Sequence, residues 1–484
     1  MPIIEACRDP NLFRPWFRVW STWRSWRVFL RAVFGLGFMR GDRELYEKCT
    51  GRTDTPKKPF KEIVLIVGRR AGKSFVLALI AVYLAFFRNW RPYLVPGEKA
   101  TILVIAADRR QARVIFRYID ALIHGIPWLH RKVIFPTRSD NIRLVNDVVI
   151  EIHTASFRAV RGYTVVAALL DEVAFWRDEK SANPDTEVLD AIRPGMARIE
   201  ESMLLCASSP YVRKGAIYKY FNDYYGKNDP DVLVWHTDTR VMNPTITQAY
   251  IDKQYERDPV AAATEWGAQF RADIEDFVPE EVVDAAILKG QFEIPFVSTN
   301  NYHAFCDPSG GSRDSFTLAI GHVEEGDRVL DALREWRPPF SPDTVVKECT
   351  NLLRDYGLSS VTGDNYAGVW PKERFLAHGS SYKVCKIRKS DLYRDSLPVL
   401  NTGRIRLLDN LRMKTQIISL ERRVGSGGKF MIDHPPGGHD DLANAVLGLM
   451  TIMTVASVKY DDSDVIISQP LVSSHFPMVN TGEL

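Results

Sequence analysis

The segment Glu62–Phe75, EIVLIVGRRAGKSF, constrains this chain more than any other. An apolar strand-like run enters a short glycine-containing loop. Gly72-Lys73-Ser74 then opens a second apolar run of helical character. A loop between a buried strand and a helix N-terminus turns backbone N–H groups toward one point, where they can cradle phosphates. In that arrangement Gly68, Arg69, Arg70, Ala71 and Gly72 line the phosphates, Lys73 reaches the β- and γ-phosphates, and the Ser74 hydroxyl ligates Mg²⁺. The spacing departs from the usual GxxxxGK[ST], because Val67 stands where the first glycine belongs. The expected ligand is ATP with Mg²⁺.

A partner for this loop follows about a hundred residues later. VVAALLDEVAFW reads as an apolar strand ending in Asp171–Glu172. Asp171 at the strand end can hold the metal's water shell, and Glu172 can polarise an attacking water. LLCASSPYVRKG places Ser208 and Ser209 at another strand end, where hydroxyls can sense the γ-phosphate. Arg158 and Arg161 precede the Asp–Glu strand, and Arg161, beside Gly162, is a candidate arginine finger.

Strand and helix patterns alternate from Glu62 to about residue 215, which predicts a mostly parallel sheet covered on both faces. A second α/β pattern occupies 301–456. The expected organisation is an Arg/Trp-rich extension over 1–59, a nucleotide-binding domain over 60–242, a connector over 243–298, a second domain over 299–457 and a tail over 458–484. The extension interleaves Arg14, Trp16, Arg18, Trp20, Trp23 and Trp26, and it reads either as a contact surface or as an amphipathic helix packed on the core. Net charge is +3, so any nucleic-acid surface is a local patch. Six cysteines without a CxxC pair argue against a disulfide framework or a zinc site. No apolar run reaches the roughly 18–20 residues that span a bilayer, so no membrane partner is expected.

The second half carries Asp307 in HAFCDPSGG, Asp364 in SVTGDNYAG and Asp440–Asp441 in GGHDDLANAV. The first two sit at predicted strand ends and the last pair opens a predicted helix. Carboxylates converging from separate elements can bind two Mg²⁺ or Mn²⁺ ions and cut a phosphodiester. Each also has a plainer reading, Asp307 and Asp364 as turn residues and Asp440 as a helix N-cap. Their order over strand, strand and final helix matches an RNase H-like nuclease. Lys383, Lys386, Arg388 and Lys389 lie close by in sequence and are candidate grips on DNA phosphates.

GRRAGKS, ALLDEVAFW, CASSP, Asp307, TGDNYAG and HDDLANA, in that order, resemble the large terminase subunit of tailed double-stranded DNA phages. The resemblance covers about residues 60–455, and the absent first glycine is common in that family. It implies a P-loop ATPase domain followed by an RNase H-like α/β nuclease domain. The implied work is ATP-driven translocation of double-stranded DNA through the portal into a procapsid, with cleavage of concatemeric DNA at initiation and termination. Arg69 matches the loop arginine that touches phosphate, Arg161 the arginine acting on a neighbour's ATP, and Ser208–Ser209 the motif coupling hydrolysis to movement. Asp307, Asp364, Asp440 and Asp441 are the implied nuclease ligands, with both members of the last pair kept. The implied partners are the portal protein, a small terminase subunit and further copies in a ring, typically of five. The implied location is the host cytoplasm, transiently docked on the procapsid and absent from the mature virion. Two alternatives remain at this point: a DNA helicase–nuclease, which needs a second RecA-like pattern that 215–300 does not offer, and a catalytically silent portal-docking scaffold.

Overall fold

The computed structural model describes residues 1–135, 140–155, 160–177, 181, 183–364, 370–424 and 430–453. The fold is α/β throughout, with two large sheets in series. The first contains β1 (Glu62–Val67), β2 (Ala100–Ala106), β3 (Val133–Ile134), β4 (Asn141–Leu144), β5 (Val148–Thr154), β6 (Thr164–Asp171), β7 (Met203–Ser208) and β8 (Val232–Thr237), in the order β3-β4-β5-β2-β6-β7-β1-β8. From β5 to β8 every pairing is parallel, and only the β3–β4 and β4–β5 pairings are antiparallel. Parallel strands need apolar side chains on both faces because crossover helices cover both. β1 obeys this: Ile63, Leu65 and Val67 join one apolar cluster, Val64 and Ile66 the other. β8 escaped the sequence reading, since VLVWHT follows a polar turn and lies beyond the last recognised motif.

The N-terminal segment is built into this half. Helices Ile3–Arg8, Arg24–Val33 and Asp42–Thr50 contribute Ile3, Trp26, Phe29 and Tyr46, and the segment between the first two adds Phe17, to the cluster that also holds Leu65 and Leu77. The aromatics of the Arg/Trp pattern therefore face inward, and the Arg27 guanidinium lies 4.7 Å from the Trp20 ring centroid. Of the two readings of this segment, packing on the core is the one observed.

The chain continues through β9 (Ile274–Asp276) and β10 (Ile287–Leu288) into β11 (Tyr302–Asp307), β12 (Phe316–Glu324), β13 (Asp327–Trp336), β14 (Ser360–Gly363), β15 (Ser381–Val384) and β16 (Ile405–Leu408). A hairpin, β17 (Glu421–Val424) and β18 (Phe430–Asp433), precedes the last described helix, Asp441–Ile452. The second sheet has the order β10-β16-β13-β12-β11-β14-β15. β11, β12 and β13 form an antiparallel meander, and β14 and β15 add parallel to β11. This is an RNase H-like arrangement. Side chains alternate across β11: Phe305 packs with the final helix, whereas Ala304 and Cys306 pack with Val345, Val346 and Leu353 of helix Pro342–Asp355. The final helix approaches so closely that a Cβ on Gly448 would lie 2.7 Å from the Phe305 ring.

Residues 243–298, expected as a connector, carry structure belonging to both halves. Helices Gln248–Arg257 and Pro259–Glu265 stay beside the nucleotide loop. β9 pairs with β17, and Phe277, Val278 and Val283 enter the core formed by Leu407, Ile417 and the final helix. The halves also meet at one buried polar contact. Tyr211, two residues after Ser209, donates its hydroxyl to Glu421 Oε2 at 2.9 Å, and Arg423 Nη2 donates to the same oxygen at 2.9 Å. Glu421 is fully buried. Removing the phenol hydroxyl strands part of a buried carboxylate, a loss of about 1–3 kcal/mol. Tyr211→Phe is accordingly expected to lower the denaturant midpoint of the full chain, read by urea titration; an unchanged midpoint would contradict this account of the joint.

Candidate nucleotide and nuclease sites

The nucleotide loop is held from outside. Trp26 Nε1 donates to the Ala71 carbonyl at 3.0 Å, Thr239 Oγ1 to the Arg69 carbonyl at 2.9 Å and Asn243 Nδ2 to the Arg70 carbonyl at 2.8 Å. The Arg69 amide donates to the Glu265 carbonyl at 2.6 Å, and its guanidinium pairs with the Glu265 carboxylate at 2.9 Å. The carbonyls of Arg69, Arg70 and Ala71 and the Arg69 amide are thus all engaged on the outer side, which fixes the shape of the loop. Gly68 has no room for a side chain: a Cβ there would sit 2.2 Å from Thr239 Oγ1 and 2.8 Å from the Glu265 and Trp266 carbonyl oxygens. The glycine displaced from the usual position is thus a packing requirement of this loop. Arg70 has φ +61° and Gly72 φ +106°, so the chain turns through left-handed conformations to enter helix Lys73–Phe87.

Lys73 is 5% exposed, and an ammonium buried to that extent requires partners. It has them from three strands: the Val67 carbonyl at 3.3 Å at the end of β1, Glu172 Oε1 at 3.3 Å after β6 and Ser209 Oγ at 2.9 Å after β7. Glu172 has φ +53°, an uncommon conformation for a residue with a side chain, and it turns the carboxylate back toward Lys73 and the Ser209 amide, 3.2 Å from its Oε2. Ser208 Oγ accepts the Ala174 amide and donates to the Ser209 carbonyl. Asp171 Oδ2 accepts the Ser74 hydroxyl at 2.8 Å, while its Oδ1 is buried without a hydrogen-bond partner among the described residues. Burial first, and then the neighbouring Glu172 charge, push the Asp171 carboxyl up to about 6. A paired hydroxyl and carboxylate with one unsatisfied oxygen is a fitting donor set for Mg²⁺.

In the second half, Asp307, Asp364, Asp440 and Asp441 line one cleft of about 460 Å³ together with Lys389 and Asn444. β11 delivers Asp307 at its C-terminal end, the turn after β14 delivers Asp364, and the start of the final helix delivers the pair. Burial raises the Asp307 carboxyl well above the carboxylate range; the Asn444 amide opposes this, and the charges of Asp441, Asp364 and Asp440 add to it. Asp441 is pushed up to about 6 by burial and by Asp440. Like charges gathered this way favour a bound cation, and hard oxygen donors suit Mg²⁺ or Mn²⁺. The helix-cap role open to Asp440 is filled by another residue: Gln416 Oε1 accepts the Leu442 and Ala443 amides at 2.8 and 3.1 Å. Asp440 instead accepts Tyr393 Oη at 2.8 Å and Lys389 Nζ at 2.7 Å. Asp441 is held by the Ser315 amide on its Oδ2 and by Thr317 Oγ1 on its carbonyl.

A family profile described as "Uncharacterized protein MJ0330, N-terminal P-loop domain" matches residues 38–267. The N-terminal half contains a P-loop domain. No curated protein sequence matches the chain. Among solved structures, the bacteriophage HK97 large terminase is 16% identical, with 81% of this chain and 91% of that one covered and a TM-score of 0.38. The ATPase domain of the large terminase of Thermus phage P74-26 is 19% identical over 45% of this chain and 91% of its own, with a TM-score of 0.36. The large terminase nuclease of thermophilic phage G20c, with bound magnesium, is 16% identical over 36% of this chain and 96% of its own, with a TM-score of 0.32.

The structure does not bring every expected residue to these two centres. Arg161 lies in an exposed loop three residues before the start of β6, the opposite end of that strand from Asp171. Arg158 lies outside the described residues. Lys389, read as a grip on DNA, turns its ammonium into the acidic cleft. Trp26, Thr239, Asn243 and Glu265 brace the P-loop yet are distant in sequence and carry no motif. Asn444 could have been found one helical turn after Asp440, on the same face. For Gly68→Ala the expected outcome is at least a tenfold weaker affinity for a fluorescent ATP analogue, because two backbone carbonyls cannot yield to the added methyl. The double variant Gly68→Ala/Thr239→Ser should bind no better.

Proposed function

We propose that this chain is a phage large terminase, an ATPase that drives double-stranded DNA into a procapsid and a metal-dependent nuclease that cuts it. The observation that carries the reading is the presence, in one chain, of a P-loop closed by Lys73, Glu172 and Ser209 and an RNase H-like sheet whose strand ends and final helix gather four aspartates. Mg²⁺ bound at either centre would neutralise phosphate oxygens, with Ser74 and Asp171 holding it at the first and the four aspartates at the second. Lys73 then engages the terminal phosphates, releasing Glu172 to polarise water. Ser208 and Ser209, joined by hydrogen bonds to Glu172 and Ala174, report the γ-phosphate to the segment that follows. Arg69 contacts phosphate after leaving Glu265. Arg161, remote from its own P-loop strand end, is the residue we assign to a neighbouring subunit's ATP in a ring, typically of five. The portal protein and a small terminase subunit complete the assembly in the host cytoplasm.

Glu172→Ala is expected to abolish ATP turnover while ATP affinity stays within about threefold; undiminished turnover would remove the role given to Glu172. Asp307→Ala and Asp364→Ala are expected to lose Mg²⁺- or Mn²⁺-dependent plasmid cleavage and to retain ATPase activity. Loss of both activities in a folded variant would contradict two separate centres. The packaging role itself is tested by ATP-dependent protection of DNA from nuclease in procapsids; robust strand separation by the purified protein would favour a helicase instead.

A further inference from the structure

The acidic cleft has a side pocket that already contains a cation. Asp433, His434 and Asp440 each bring a donor atom to within 4.8 Å of the others. The Lys389 ammonium occupies this place, 2.7 Å from Asp440 Oδ2 and 3.2 Å from Asp433 Oδ1. Its position is built. Lys389 begins helix Lys389–Asn401, and the next residue, Ser390, accepts the Ile432 amide through its hydroxyl at 2.9 Å, pinning the helix start to β18. Tyr393, one turn later, is fully buried and donates to the same Asp440 oxygen. Two donors on Oδ2 fix the rotation of Asp440 and leave Oδ1 for the cleft. Lys389 is only partly exposed, so its charge acts in a medium where a cation a few ångströms away is strongly repelled.

We propose that Lys389 is a positioning residue that excludes a divalent ion from the Asp433–His434–Asp440 pocket and so confines metal to the side of the cleft lined by Asp307, Asp364 and Asp441. The inference rests on the nuclease reading for its catalytic meaning, but its physical content is where ions bind. A neutral side chain at 389 would open a carboxylate–imidazole–carboxylate pocket of ordinary metal-binding chemistry. An ion there would compete for Asp440 and draw it from the other ligands, and disturbing a ligand's supporting partners typically costs about 10–100-fold in activity.

The experiment counts Mn²⁺ ions bound to the full-length protein by electron paramagnetic resonance, alongside Mn²⁺-dependent plasmid cleavage. Lys389→Met and Lys389→Gln, the second retaining a hydrogen-bond donor in case the first fails to fold, are expected to bind one more Mn²⁺ per chain than the wild type. Their cleavage at saturating Mn²⁺ should fall about tenfold. Asp433→Asn in the Lys389→Gln background should remove the extra ion, and Lys389→Arg should retain the wild-type count. An unchanged count in a folded neutral variant, or an extra ion that survives Asp433→Asn, overturns the proposal. Absence of cleavage by the wild type would overturn the nuclease reading instead, while the ion count still decides the role of Lys389.

Discussion

A buried ammonium organises the N-terminal half. Lys73 is 5% exposed, a buried polar group requires partners, and those partners come from the ends of β1, β6 and β7. Three adjacent parallel strands must therefore end at the same level, with a carboxylate on one and a hydroxyl on another. Glu172 meets that demand by taking a left-handed backbone conformation, and the loop meets it by leaning on Thr239, Asn243 and Glu265. The outer helices, including the N-terminal segment behind Trp26, are packed where this convergence needs support.

The second half solves the opposite problem. Its four aspartates repel one another, and nothing in their local sequence explains why they should meet. Partners from other elements hold the last two: Gln416 caps the final helix so that Asp440 need not, Thr317 and Ser315 anchor Asp441, and Tyr393 and Lys389 orient Asp440. Burial first, and then the charges of the neighbouring aspartates, raise the Asp307 and Asp441 acids.

Much of this was legible in the sequence for a physical reason. Parallel strands buried on both faces read as unbroken apolar runs, and polar residues stand out at the ends of those runs, so β1, β6 and β7 announced both themselves and the candidate site residues that follow them. What escaped lacks such a signature. β8 carries no motif at its end, the β17–β18 hairpin is short and mixed in polarity, and the placement of β8 and β17 is set by strands far away in sequence, β1 and β9. The same holds for the bracing of the P-loop by Thr239 and Glu265, and for Lys389. A lysine's sequence neighbours suggested a solvated basic face, whereas the pinning of Ser390 to β18 turns that one side chain inward. The Arg/Trp pattern was ambiguous because the same alternation serves a binding surface or a packed amphipathic segment, and only the position of the core chooses between them.

The Tyr211–Glu421 contact has a consequence for how the two halves recognise each other. Pulled apart, Glu421 would regain water and lose little. Brought together in a slightly wrong register, it would be dehydrated without its phenol. Such a joint contributes modest adhesion but strongly rejects misfit. It acts as a key that tests alignment, so the segment following Ser209 fixes the docking angle of the second half more firmly than it fixes their affinity.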